Sequence, residues 1–474
     1  MSAESSKSNP PLQALLPINF LIIGGGIAGL ACALALRRVG HRVTVLERTD
    51  KVTARGDGGV RLPPNLTKIL FHWGLKDILM KKASITKRLI FMRYETGERL
   101  GEHVWDEEML KETRGVFMML THSELYDILY DAATGLGAQV RYNANAVELD
   151  PAEELVRLDT GEELSADVLI GADGGFGVCR AAILGNGVRG KGTGLAVYDT
   201  IVPSSSLPEY AEEIREWHGQ FVAFGNRHAI VAYPIHGIED IAFQFYAPDN
   251  EHEGKYGSNP TVDVLSVVDG ISPQLAVVAK VARKAVRVSI QEHPDLEDWV
   301  HPHGRLVIIG EAAHPFPPST IQGTAMAIED GAVLAKLFSH LSEERQIESF
   351  LYAFQELRQE RADTVRHGEF ASVMYMTADG ELATTRDENM RRKAAAGRNV
   401  LDGEGDCDAA SKWEEYRVIF GYDCEDEADD WWVQWGMLRE RALDRESIHA
   451  SSVPSLLDLY PMMSSVQVTS TDGE

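Results

Sequence analysis

Cysteine is scarce: Cys32, Cys179, Cys407 and Cys424 are the four in 474 residues, and none forms a CxxC pair. That excludes a disulfide scaffold and fits reduced thiols in a cytoplasmic protein. Basic residues are also few, 46 against 72 acidic ones, for a net charge of −26. A nucleic-acid partner needs clustered Lys and Arg, so none is expected. An anionic membrane surface is disfavoured for the same reason. No stretch approaches the ~20 apolar residues of a spanning helix, so no stable membrane insertion is expected. The opening "MSAESSKSNPPLQALLP" has no apolar run of the kind a leader peptide carries. Internal repeats and low-complexity blocks are absent.

What remains is an ordinary globular composition, 44% hydrophobic and 25% charged. The length implies two domains or one elaborated domain. The strongest local signal is "INFLIIGGGIAGLACALALRRVGHRVTVLER". Ile18 to Ile23 reads as a buried strand, Leu30 to Val39 as a helix, and Val43 to Leu46 as a second strand. Gly24, Gly26 and Gly29 between them have the G-x-G-x-x-G spacing. Gly24 permits the tight turn, Gly26 admits a pyrophosphate, and Gly29 lets the helix pack on the strand. The helix N-terminus then faces phosphate, and Glu47 can accept hydrogen bonds from ribose hydroxyls. The alternative is a tight strand-helix turn without a ligand.

Two further strand ends carry glycines and acids. Asp167 to Ile170 runs into Gly171, Asp173 and Gly174, either a cofactor contact through Asp173 or an ordinary strand-loop. Leu306 to Ile309 leads into "GEAAHPFPPSTIQGTAMAIED", Gly310 to Asp330. Its prolines deny helix to the loop. Gly323 allows close approach, and Thr324 opens a helix whose N-terminus points back at the loop. Such an end favours negative charge nearby. Residues 191–299 alternate apolar and polar, as in "HAIVAYPI" and "DIAFQFYAP", and read as sheet strands. Residues 343–370 are charged and helical. The run "CEDEADD" reads as a solvated face or an acidic patch, and the Trp-rich end as an interface or a cap.

With these elements in this order, the chain resembles the single-component aromatic hydroxylases. These are FAD-dependent monooxygenases that include salicylate hydroxylase, and the likeness is to their fungal members above all. The resemblance spans about residues 17 to 425. It rests on the glycine turn with Glu47 and on "GGVRLPPNLTKILFHWGL", "DVLIGADGGFGVCR" and "AIVAYPI". It rests also on the Gly310–Asp330 stretch, "ELRQERADTV" and "TADGELATTRDE". It implies an α/β fold: a Rossmann-like FAD domain, an inserted mixed-sheet substrate domain and a helical C-terminal region. The FAD domain would be discontinuous, residues 17–80, 112–190 and 300–370. The substrate domain would take 81–111 and 191–299. Residues 371–460 would be helical, with loose ends at 1–16 and 461–474.

The resemblance also implies chemistry. Non-covalent FAD would be reduced by NADPH or NADH and would react with O2 to a C4a-hydroperoxide, which delivers oxygen to an electron-rich ring. No metal is needed. Asp173-Gly174 would serve FAD and the nicotinamide donor, and the acid at Glu311 would hold the ribityl or ribose part. Gly58, Gly59 and Val60 would pass beside the isoalloxazine, and Gly323 and Thr324 would meet its electron-rich end. The substrate would be an aromatic or phenolic small molecule, a decarboxylated hydroxybenzoate being one version. An epoxidase or an indole or alkaloid oxygenase is the alternative, and a chain that has lost FAD a remote one. Monomer and homodimer both remain open.

Four positions depart from the family pattern. Glu311 stands where Asp is usual and moves the carboxylate out by about one bond length. His122 stands where Arg is usual; it is a cofactor contact or a polar helix start. Asp199 stands where fungal relatives carry an Arg that clamps a phenolate with a tyrosine such as Tyr233. It could instead orient a basic nitrogen or accept a hydroxyl proton. Tyr233 itself is a clamp residue or a core tyrosine. Arg61, where Gln is common, could meet an anionic substrate, or face solvent or a FAD phosphate. His314 reads as a loop residue bonded to backbone, with proton transfer as the alternative.

Overall fold

A computed structural model describes residues 12–185, 190–208, 220–249, 261–282, 284–402 and 409–438. Of the loose ends expected at 1–16 and 461–474, residues 1–11 and 461–474 lie outside them, as does the stretch 439–460; within 12–16, the Ala14 and Leu16 amides bond to Val39 and Leu341. Two units divide the chain, Met1–Cys424 and Glu425–Glu474.

In the first unit a five-stranded parallel sheet is built around the glycine turn. Its order is Leu306–Ile308, Val168–Gly171, Asn19–Ile23, Arg42–Leu46 and Gln139–Arg141. The central strands are apolar and buried along nearly their whole length, as expected of a covered parallel sheet. The helix Ile27–Arg38 buries its Ala/Leu run, and the helix Gln322–Phe338 packs against it closely enough that Gly331 lies on Cys32. The three strands that end in glycine and acid signals are adjacent, with Ile23 level with Gly171 and Gly171 with Ile308. Their loops therefore emerge side by side.

The second sheet has eight strands: 261–263, 284–292, 191–203, 240–248, 229–235, 221–224, 88–93 and 99–104. Its pairs are antiparallel except for 221–224 with 88–93. The strand Ala229–Ile235 is buried throughout. Ile230 and Ala232 join one apolar cluster, while Val231, Tyr233 and Ile235 join another with Met119, Val373 and Met390. The helices Gln346–Met376 and Gly380–Ala395 supply part of that second cover. Polar residues on this face, Asp199 and Gln244 among them, are consequently interior.

Beyond residue 371, the helices Gly380–Ala395, Ala409–Ile419 and Cys424–Trp431 are followed by a π turn, Trp432–Gly436. In the acidic helix Cys424 and Ala428 are buried, and Asp426, Glu427 and Asp430 face solvent. Among the described residues no helix is long and apolar enough to cross a membrane.

Candidate active site

The glycine turn has the shape its spacing predicts. Gly24 has φ +110°, and a side chain there would strike the Ala172 carbonyl at 2.2 Å. A Cβ on Gly29 would lie 2.0 Å from the Gly24 oxygen. At Gly26 a Cβ would meet nothing within 4 Å, and the helix after it has no side-chain cap. Its first-turn amides are thus open to an anion. Glu47, almost fully buried, takes the Gly25 amide on Oε2 (2.9 Å) and the Thr49 amide and hydroxyl on Oε1 (2.8 Å each). It is anchored at the strand end, where a ribose would lie beside that turn.

Asp173 accepts the Cys179 amide (3.0 Å), and its Oδ1, although buried, has no hydrogen-bond partner among the described residues. Burial raises its carboxyl above the ordinary range. A Cβ on Gly174 would meet nothing within 4 Å, so this loop too is open. Glu311 is half-buried on the single 3-10 turn Gly310–Ala312. Gly323 lies in the first turn of the helix Gln322–Phe338, a Cβ there reaching Phe316 at 3.2 Å, and Thr324 follows, half-buried.

His122 begins the helix His122–Gly135. Its Nδ1 pairs with the Arg55 carbonyl (2.7 Å), and burial lowers its pKa, so the ring is neutral near pH 7. The ring braces the loop before Gly58. Gly59, Val60 and Arg61 lie in a short strand, Gly59–Leu62, paired with Met118–Thr121. His314 bonds to the Asp330 carboxylate through Nε2 (2.7 Å), where a backbone partner was expected.

Tyr233, Arg61 and Asp199 come together under Gly58 and Gly59. Gln244 joins them: its Nε2 donates to Tyr233 Oη (3.0 Å) and to Asp199 Oδ2 (3.2 Å). Arg61 Nη2 donates to the Ser319 carbonyl (2.7 Å) and, at 3.4 Å, to Gln244 Oε1. Its guanidinium lies 5.4 Å from the Tyr233 ring centre. The Ser319 hydroxyl donates to Asp199 Oδ2 (3.3 Å). Ser319 has φ +62°, an uncommon conformation for a non-glycine and one found where a site constrains the chain. Gly59 is obligatory here, because a Cβ would meet Tyr233 Oη at 2.6 Å.

Burial pushes the Asp199 carboxyl up to about 7, against the pull of Gln244, the Gly59 amide, Ser319 and Arg61. Burial also holds the Tyr233 and Tyr246 hydroxyls protonated. As pH rises from 3.8 toward 7, the unfolded chain has released a proton that folded Asp199 still holds. Stability therefore falls through that window and levels off above it. Asp199→Asn is expected to be more stable than the parent at pH 8, by about 1–3 kcal/mol, with a flatter pH profile. Urea unfolding at pH 5 and pH 8 measures this; equal losses in both proteins would contradict it.

Sequence reasoning passed over Gln244, Ser319, Glu369 and the ion network behind the loop. A glutamine inside "IAFQFYAP" was a usable signal, since a polar residue amid aromatics on a buried strand needs a partner. Glu369 accepts the Gln322 amide (2.9 Å) and so caps a helix that has no cap of its own. Fully buried Arg358 bridges Asp330 (2.9 Å) and Glu329 (2.8 Å). Asp330 also takes the Gly310 amide (2.8 Å), and Asn65 links Glu329 (2.8 Å) to Gln322 (3.0 Å). The two ends of the proline loop are thus tied to each other through the interior.

A family model described as an FAD binding domain matches residues 18–368. The FAD-dependent monooxygenase OpS4 of Beauveria bassiana (strain ARSEF 2860) is 30% identical over 421 residues, 87% of this chain and 97% of that protein. The 3-hydroxybenzoate 6-hydroxylase 1 of Aquipseudomonas alcaligenes is 27% identical over 378 residues, 78% and 93% of the two chains. The solved structure of CtdE in complex with FAD and substrate 4 superposes with a TM-score of 0.73 at 21% identity, covering 89% of this chain and 100% of that one. A salicylate hydroxylase substrate complex gives 0.69 at 19% identity, covering 87% and 97%. These two share the fold. Matched along three quarters of its length, the chain belongs to the FAD-dependent monooxygenase and hydroxylase family and is an enzyme of that family.

Proposed function

We propose that this enzyme uses NADPH or NADH and O2 to insert one oxygen atom into an aromatic small molecule held beside the junction of Gly58–Arg61 with the eight-stranded sheet. The observation that carries the reading is the cluster of Asp199, Gln244, Tyr233, Arg61 and Ser319 beneath that glycine pair. We assign the five-stranded sheet to the cofactor and the eight-stranded sheet to the substrate.

The open amides of Gly26 and the next turn suit the FAD pyrophosphate, and Glu47 its ribose hydroxyls. Asp173, Gly174, Glu311 and the start of the helix at Gly323–Thr324 complete the seat. His122 serves it indirectly, by holding the loop to Gly58. When bound, FAD supplies the electron store and the activation of O2.

The chain supplies placement, dryness and proton handling. Tyr233 accepts from Gln244, which leaves its own proton to donate to substrate. Asp199, poised near neutral pH, can take a proton from a substrate group and so enrich the ring in electrons. Arg61 fixes the wall by gripping Ser319. Tyr233→Phe is expected to retain flavin while substrate-stimulated NAD(P)H oxidation drops about 10- to 100-fold. Unchanged rates with product formed would return Tyr233 to a packing role. Because Asp199 stands in place of the cation of a phenolate clamp, oxygen transfer to a ring or alkene that needs no phenolate is the second reading.

A further inference from the structure

We propose that the substrate of this site presents a nitrogen-borne hydrogen-bond donor, cationic or neutral, and that Asp199 Oδ1 receives it; an aromatic carboxylate is the wrong partner. This rests on the monooxygenase reading above. It removes the hydroxybenzoate-like version, in which Arg61 would grip a carboxylate.

Among the described residues the charges acting most strongly on the cluster are one guanidinium, Arg61, and two carboxyls, Asp199 and Glu369. Arg61 is already engaged. Its Nη2 holds the Ser319 carbonyl and Gln244. A carboxylate ligand favours a guanidinium free to offer two parallel donors, with no competing anion beside it. Here it would enter next to two carboxyls, and its charge would oppose the ionisation of both.

Asp199 is the converse case. Its Oδ2 is satisfied by Gln244 and Ser319, whereas its Oδ1 is buried and makes no hydrogen bond among the described residues. That oxygen lies against Gly58, where a Cβ would approach it to 2.8 Å. An unsatisfied buried acceptor is costly: the Gly59 amide lies near enough to pull on the carboxyl but makes no hydrogen bond to Oδ1, and Gln244 Nε2 is shared between Asp199 and Tyr233. A ligand N–H satisfies it, and a cationic one also draws Asp199 into its charged form. The side chains of Tyr233 and Tyr246 supply aromatic surface beside it.

The test titrates the flavin-loaded enzyme with three probes on one phenol ring: tyramine, 4-ethylphenol and 4-hydroxyphenylacetate. Binding is read from the flavin difference spectrum. Tyramine is expected to bind at least about tenfold tighter than 4-hydroxyphenylacetate, with 4-ethylphenol between them. In Asp199→Asn that ratio is expected to collapse to about threefold or less, with Glu369→Gln intermediate. Equal or tighter binding of the carboxylate by the parent enzyme overturns the inference without recourse to a variant. An unchanged ratio in a flavin-loaded Asp199→Asn overturns it as well. A protein that takes up no flavin would instead fail the underlying reading.

Discussion

Arg358→Met is expected to lower the free energy of unfolding by about 3–5 kcal/mol. Arg358, Glu329 and Asp330 are all fully buried, and the guanidinium is the fork joining the two carboxylates. Methionine replaces the stem and leaves little void, so the cost comes from the charges left behind. Glu329 keeps Arg361 (2.9 Å) and Asn65. Among the described residues Asp330 keeps only His314 and the Gly310 amide. Against the effect of burial, His314 and Arg358 hold the Asp330 carboxyl down at about 2. A depressed acid stabilises the fold above its unfolded pKa and loses that contribution as pH falls toward the folded one. Without Arg358 the folded carboxyl moves back toward its unfolded value, so this acid-induced loss should shrink and be complete at higher pH. Arg358→Met with Asp330→Asn should cost less than the sum of the single changes, since the unpaired charge is gone. Urea unfolding of the four proteins measures it, and additive losses would mean that the pair is not coupled. Flavin should also leave the single variant at lower urea, because the network holds both the Gly310 turn and the start of the helix at Gln322.

The parts of this site differ in how far the sequence disclosed them. The glycine turn was legible because its chemistry is local: strand, three glycines, helix, strand and Glu47 all fall within about thirty residues. The strands before Asp173 and Glu311 were legible as short apolar runs, but their parallel pairing beside Asn19–Ile23 is long-range, because strands of other sheets intervene in the chain before each of them. Tyr233, Arg61 and Asp199 were candidates through resemblance alone. What joins them is register. Asp199 is level with Gln244, and Tyr233 with Ala242, across two antiparallel pairs. No local pattern fixes which residue of one long strand faces which of another. The chemistry of Asp199 depends on burial from both sides of that sheet, and the covering helix Gln346–Met376 read only as a charged helical segment. Arg358, Arg366 and Glu369 in it look like surface charge until their partners are known. His314 misled in the same way, since its carboxylate partner is Asp330, at the far end of the same stretch.

Gly26→Val is expected to yield a folded protein almost free of flavin, with FAD affinity reduced by about 100-fold or more. The neighbouring glycines make the contrast. Gly24→Ala strains a positive φ and drives a Cβ into the Ala172 carbonyl, and Gly29→Ala drives one into the Gly24 carbonyl, so both should damage the fold itself. Gly26 has φ −75° and open space where its side chain would be. Valine there meets no protein atom within reach of its Cβ, only the volume an approaching phosphate must occupy. Parent and Gly26→Val should therefore share one circular-dichroism spectrum and one urea midpoint in the absence of added FAD. The decisive measurement is the FAD bound per chain in these two proteins, from the visible absorbance of each after saturation and gel filtration. The account predicts about one per chain in the parent and close to none in the variant. Equal flavin content in the two would contradict the placement of the cofactor, and with it the site built around it.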